Sequence, residues 1–288
     1  GQVHPGADDN ASGVAVLLEL ARAMKDEKPR RTVVFLAVTG EEAGRLGSKR
    51  WVAGPSSRPA AKTLAAVNLD TVGRLGGGKL QVLGTGTAGE WIHAVRGASW
   101  VTGVETKAVP ETLESSDHVS FVEAGIPAVQ LFTGAHTDYH RPSDSAEKVD
   151  VPGLAKVAAV AKELVSWLAG REQPLSVSIP KRDGAPAASA TAPPGGASSQ
   201  GRRVSFGTMP DFAFEGPGVK VVAVVPGSPA EKAGVKPGDV VLKLDGREVA
   251  NLRDFSEKLK GAVPGQTLKT TLRRESKELE VDVTLVER

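Results

Sequence analysis

Apolar positions fall into two blocks with different rhythms. In the first block, stretches that suit strands alternate with stretches that suit helices. Residues 12–24 (SGVAVLLELARAM) predict a helix with Asn10 or Ser12 as its N-cap. Residues 32–38 (TVVFLAV) are apolar and β-branched without alternation, which predicts a central strand covered on both faces. Residues 43–52 read as a helix, 64–69 as a second buried strand, 88–98 as a helix, 128–132 as a third short strand and 152–169 as a long amphipathic helix. This order predicts an α/β layered domain with a mostly parallel sheet, whose ligands gather at the carboxyl ends of the strands.

The second block has short strands and tight turns. Residues 219–225 (VKVVAVV) and 239–244 (DVVLKL) predict strands, and Asp245-Gly246 predicts a tight turn before 247–249. Asn251 is placed to cap a helix over 252–260, with Asp254 in its first turn. Residues 268–272 and 279–285 close the set as an antiparallel pair. Between the blocks, residues 181–201 (KRDGAPAASATAPPGGASSQG) contain almost no large apolar side chain. Such a stretch cannot bury enough surface to offset its ordering entropy. The expected division is therefore a first domain over 1–170, a flexible linker over 171–202 and a second domain over 203–288.

Composition narrows the chemistry. The chain has 288 residues and a formal charge of +2. It carries no basic cluster with interleaved aromatics, so nucleic acid is not an expected partner. No apolar run reaches the roughly 18 residues of a membrane span. Cysteine is absent, so a metal would have to be held by His, Asp and Glu. The chain starts at Gly1 without a methionine or an apolar leader, which predicts a processed form or a fragment.

Four short segments carry the candidate groups: Asp8-Asp9-Asn10, Glu41-Glu42, Asp70 and His140. Singly, each has a bland reading as a capping, first-turn or loop residue. Together they carry more weight. Glu41-Glu42 follows one predicted strand and Asp70 another, so both fall at the carboxyl edge of one sheet. Paired glutamates also allow one to bind a metal while its neighbour stays free as a general base.

The segments HPGADDNASG (4–13), TGEEAG (39–44), Asn68-Leu69-Asp70, Ser116-Asp117-His118 and DYHRPSD (138–144) resemble, in order, the signature segments of the bacterial co-catalytic zinc aminopeptidases. That family is related to glutamate carboxypeptidase II and glutaminyl cyclase. The resemblance implies a three-layer α/β/α zinc exopeptidase domain with a mostly parallel mixed sheet. It makes Asp9 the carboxylate bridging two zinc ions, with a cis peptide bond following it. Glu42 and His140 would complete one zinc site, and Asp70 would serve the other. Glu41 matches the general base acting on the bridging water, and Tyr139 a donor to the tetrahedral oxyanion. Ser116, Asp117 and His118 match a pocket wall. His4, His93, His136 and Asp138 are expected outside the chemistry, the last two as solvated loop residues.

The family draws a further histidine ligand from a strand upstream of the Asp9 segment, and only three residues precede His4. Two zinc ions are therefore expected in a full-length protein and one in this chain, with little turnover. The implied function is an aminopeptidase acting on peptides or proteins and exported to the periplasm or medium. A single-zinc glutaminyl cyclase-like transferase would use the same three ligands. A carboxypeptidase would need a cation such as Arg74 or Arg141. A non-catalytic binding protein fits poorly with Glu41, Glu42, Asp70 and His140 all being present.

In the second block, PGSPAEKAGV (226–235) followed by PGDVV (237–241) resembles the PDZ domains of bacterial proteases. The resemblance implies capture of C-terminal peptides as an added strand, with Phe206 and Gly207 in the carboxylate loop and Phe255 and Leu259 on the facing helix.

Overall fold

The computed structural model describes residues 2–54, 62–112, 116–179, 204–211, 214 and 216–287. It divides into two compact units, one built from Gly1–Gly134 and Pro142–Ala190, the other from Ala135–Arg141 and Thr191–Arg288.

The first unit is organised by four short strands: β1 (Ala66–Leu69), β2 (Leu80–Leu83), β3 (Thr106–Val109) and β4 (Ala128–Phe132). Their order is β1-β4-β2-β3. The β1/β4 and β2/β3 pairs are parallel and β2/β4 is antiparallel. Successive side chains of a strand point to opposite faces, and β4 is buried at all five positions. On one face, Val129 and Leu131 pack with Val16 and Leu20 of α1 (Gly13–Met24), Trp91 of α3 (Trp91–Thr102) and Val157 and Leu164 of α5 (Val151–Gly170). On the other, Ala128 joins Phe121 of α4 (His118–Glu123) and Trp51 of α2 (Leu46–Val52). Helices cover both faces, giving the expected α/β/α layering. Each fully buried leucine or valine contributes about 1.5–3 kcal/mol by leaving water.

The helix starts follow capping chemistry. Asp150 accepts the Gly153 N–H at the start of α5, with proline in the first turn. At α1, Asn10 Oδ1 accepts the Gly13 N–H at 3.0 Å, while Ser12 Oγ donates to the Asp8 carbonyl at 2.7 Å. Asn10 is thus the residue that caps. Two strands, β2 and β3, lie where no strand was expected. Leu175, inside the stretch assigned to the linker, packs in the first core, and residues 181–201 lie outside the described residues.

One expectation is overturned. Residues 32–38 form no strand. Among the described residues their backbone makes no hydrogen bond to another segment, and Val34 and Phe35 are 46% and 38% exposed. Across from them stands β1, whose only ladder partner among the described residues is β4. A cavity of about 750 Å³ separates the two, lined by Val33, Phe35, Leu36, Val67, Leu69 and Phe121 among others. The apolar pattern was real, but a strand needs a neighbour within hydrogen-bonding distance, about 4.8 Å away. Here the nearest edge stands across a cavity.

The second unit is β-rich. Its main sheet joins β6 (Thr208–Pro210), β7 (Val219–Val224), β8 (Val240–Leu244), β10 (Thr267–Arg274) and β11 (Lys277–Thr284) in the order β11-β10-β8-β7-β6. The short β9 (Arg247–Glu248) pairs with β8, and β5 (Val204–Ser205) pairs with β12 (Val286–Glu287). Ser228 caps the short α6 (Pro229–Lys232), and Asn251 caps α7 (Leu252–Lys260) by accepting the Asp254 N–H, as predicted. Val221, Val241, Leu259 and Leu272 share one core. Among the described residues, no helix is long and apolar enough to cross a membrane.

Candidate metal centre

The candidate ligands sit on turns and connections flanking the regular elements. Asp9 lies in the turn 7–12 ahead of α1, and its peptide bond to Asn10 is cis, as the resemblance implied. The Asn10 side chain fixes this turn against β1. Its Nδ2 donates to the Leu69 carbonyl at 2.8 Å, and its Oδ1 accepts the N–H groups of Gly13 and Thr71. Gly13 is needed for this approach, because a Cβ there would lie 2.3 Å from the Leu69 carbonyl oxygen. The sequence marked Asn10 only as a helix cap; its hold on the end of β1 was not legible.

Glu41 and Glu42 follow Gly40, whose φ is 70°. The chain turns tightly there, with the Glu41 carbonyl accepting the N–H groups of Gly44 and Arg45. Asp70 immediately follows β1. His140 lies in the loop after β4, and its ring stacks on that of Tyr139 with centroids 3.7 Å apart. Asp9, Glu42 and His140 each offer a ligand atom, and the three atoms lie within 4.8 Å of one another. Asp70 is outside that trio and nearly buried.

The electrostatics match a site built around a cation. Burial raises the Glu41 carboxyl to about 8, helped by the charges of Glu42, Asp70, Asp117 and Asp9. Burial raises Asp70 to about 7, with Asp9 and then Glu42 adding to it, while hydrogen bonds from Ser116 and Thr71 act in the opposite direction. Carboxylates crowded in this way disfavour one another's charge, and a multivalent cation relieves that repulsion. Two carboxylates and an imidazole form a hard-to-borderline donor set that suits zinc. The residues present therefore fit a zinc ion.

Ser116, Asp117 and His118, the residues expected at a pocket wall, are buried. Ser48 donates to Asp117 and bonds Ser120, and the Asn68 amide donates to Ser116 at 2.7 Å. His118 is fully buried at the start of α4. His4 and His93 are exposed and are not part of the trio. His136 and Asp138 are half-buried, against the expectation of solvated loop residues. The turn itself explains this: the Tyr139 and Arg141 N–H groups fold back onto the carbonyls of His136 and Asp138.

In the second unit, Phe206, Phe255 and Leu259 are core side chains, and the two phenylalanine rings meet edge to face at 5.3 Å. Gly207 has a φ of 86° and lies so close to Ser228 that a Cβ would overlap its side chain. β6 is one of the two edge strands of the main sheet among the described residues.

Comparison with known proteins identifies two families along the chain. The family described as Peptidase family M28 matches residues 1–165, and the family described as PDZ domain matches residues 197–285. Aminopeptidase YwaD of Bacillus subtilis is 33% identical over 155 residues, which is 50% of this chain and 34% of that protein. The zinc aminopeptidase BSAP of Bacillus subtilis superposes with a TM-score of 0.54 at 28% identity, over 62% of this chain and 46% of its own. The aminopeptidase of Aneurinibacillus sp. strain AM-1 does so with a TM-score of 0.53 at 32% identity, over 62% and 43%. The chain thus spans between a third and a half of the length of these relatives.

Proposed function

The chain belongs to peptidase family M28 and carries a PDZ domain, and from that premise we propose that it is a zinc-dependent exopeptidase of the aminopeptidase type. The observation that carries the reading is the convergence of Asp9, Glu42 and His140 within 4.8 Å, with Glu41 adjacent. These three residues would hold one zinc, and Asp70 with Asp9 would contribute to a second site. Zinc, when bound, supplies Lewis-acid polarisation of a carbonyl and acidifies water. The protein's own groups do the rest. Glu41 accepts a proton from the water that attacks the peptide carbonyl and returns it to the leaving amine. Tyr139, stacked on His140, donates a hydrogen bond to the carbonyl oxygen as it gains charge. The relatives' names support zinc and aminopeptidase chemistry. Export of the protein is part of the same proposal.

The PDZ domain binds an extended C-terminal peptide along the free edge of β6. Phe206, Phe255 and Leu259 then act as the packed floor of that groove rather than as exposed contacts.

The test is zinc per chain together with two variants. About one zinc is expected, with Glu42→Ala losing it and Glu41→Gln keeping it. In an active form Glu41→Gln abolishes turnover; near-normal rates would remove Glu41 from the base role. The second reading, a single-zinc cyclase, is favoured by Asp70 lying outside the trio. Ring closure of an N-terminal glutamine separates it from peptide hydrolysis. Carboxypeptidase chemistry through Arg74 is disfavoured, since that guanidinium is paired with buried Asp144.

A further inference from the structure

One buried carboxylate outside the ligand trio holds the backbone that carries Asp9. Asp144 has a side chain 2% exposed. Its two oxygens accept the Asp8 N–H at 3.1 and 3.0 Å, and Oδ2 also accepts the Asp9 N–H at 3.0 Å. Its own carbonyl accepts the Ala7 N–H at 3.2 Å. Three consecutive amides therefore point at a single residue. Arg74 Nη2 closes the arrangement at 3.2 Å from Oδ1. Successive N–H groups aimed at a carboxylate form an anion-binding nest, and charge-assisted bonds of this kind are about twice as strong as neutral ones.

The other side of the same turn is fixed independently. Asp8 Oδ1 accepts the Gly73 N–H at 2.6 Å and the Ser12 hydroxyl at 3.0 Å. Asn10 ties the next residue to the end of β1. Asp9 sits between these anchors, so the direction of its carboxylate follows from where its backbone is held. Asp144 also comes four residues after His140, with Pro142 between them. A single carboxylate thus connects the turn that bears Asp9 to the loop that bears His140.

We propose that Asp144 is a positioning residue for metal binding: it touches neither metal nor substrate and sets the placement of Asp9 through the backbone amides of Asp8 and Asp9. The proposal rests on Asp9, Glu42 and His140 being zinc ligands. The competing explanation is a carboxylate that only stabilises the fold. Asp150 offers the control, because it too accepts two backbone N–H groups, those of Gly153 and Gly76, and neither belongs to the Asp9 turn.

The experiment titrates zinc into metal-free protein against a chromophoric chelator and records the melting temperature of each metal-free variant. If the unaltered chain takes up no zinc, the ligand reading itself fails, and that outcome is distinct from those below. Given zinc binding, Asp144→Asn is expected to weaken affinity about 10- to 100-fold, the scale of residues that orient ligands from behind. It should also change the visible spectrum of cobalt substituted at the site. Asp150→Asn is expected to lower the melting temperature and leave zinc affinity unchanged. Should Asp144→Asn not fold, Arg74→Gln keeps the carboxylate and its amide bonds while removing the third partner, and a smaller loss of affinity is expected. An unchanged zinc affinity in whichever of these two variants folds overturns the proposal. So does an equal loss in Asp150→Asn.

Discussion

Two apolar β-branched runs of nearly the same composition meet different fates in this chain. VKVVAV over Val219–Val224 becomes β7, paired with β6 on one side and β8 on the other, with four of its six residues buried. TVVFLAV over 32–38 stays without a ladder and partly exposed beside a cavity. Propensity is the same in both, so propensity does not decide. What decides is whether a neighbouring backbone is there to take up the N–H and C=O groups. The second unit closes around its strands with aliphatic and aromatic contacts. The first unit places a half-covered run, an open sheet edge and a cluster of carboxylates on adjoining connections.

The largest effect that sharpens this contrast is in the second unit. Phe255 is buried against Phe206 and shares a core with Leu259 and Val221. Phe255→Ala is expected to cost about 3–5 kcal/mol, through lost burial and a cavity that the neighbours fill only in part. Urea unfolding followed through amide signals of the second unit measures it. A cost under about 1 kcal/mol would mean the β-rich unit is loosely packed, and the contrast between the units would collapse.

The next effect belongs to the acidic pocket of the first unit. Glu41 is raised from 4.5 to about 8 and Asp70 from 3.8 to about 7. Between its unfolded and folded values each group binds a proton more readily in the folded chain. Stability therefore falls as pH rises through that window, since the unfolded state releases the proton first. The metal-free first unit is expected to melt at progressively lower temperature as pH rises from 4.5 to about 8. Glu41→Gln should flatten that slope, and saturating zinc should reverse it because binding competes with protons. A metal-free melting temperature that is flat over the window would show that the carboxylates are better solvated than their burial implies. The second unit, whose core is apolar, should show no such slope.

Much of this was legible in the sequence, and the parts that were not share a physical cause. Ala128–Phe132 was legible to the residue as a short strand, and all five of its positions are buried. Asn251 announced its helix through side-chain chemistry that acts within three residues. β2 and β3 were missed because four-residue strands carry too short a pattern to separate from loop. The failures at 32–38 and at His136 have a different origin. Ladder formation and loop burial depend on what the rest of the chain brings alongside, and no local window contains that. The candidate ligands were found through five ordered motifs, whereas the supporting carboxylate of Asp144 and the amide of Asn10 became visible only once distances were known.

The smallest expected effect tests the contrast most directly. If residues 32–38 are held by local apolar contacts alone, trimming an exposed member should be nearly silent. Val34 is 46% exposed and its backbone has no ladder to lose. Val34→Ala is expected to change stability by less than about 0.5 kcal/mol, the range of surface substitutions. Val221→Ala, at a fully buried position on β7, should cost clearly more. The two variants remove the same two methyl groups from runs of similar composition, so any difference between them comes from the surroundings. Equal losses would mean that 32–38 is packed in solution as firmly as β7. The cavity beside it would then have to be closed by the chain itself, and the exposed run would be a strand after all.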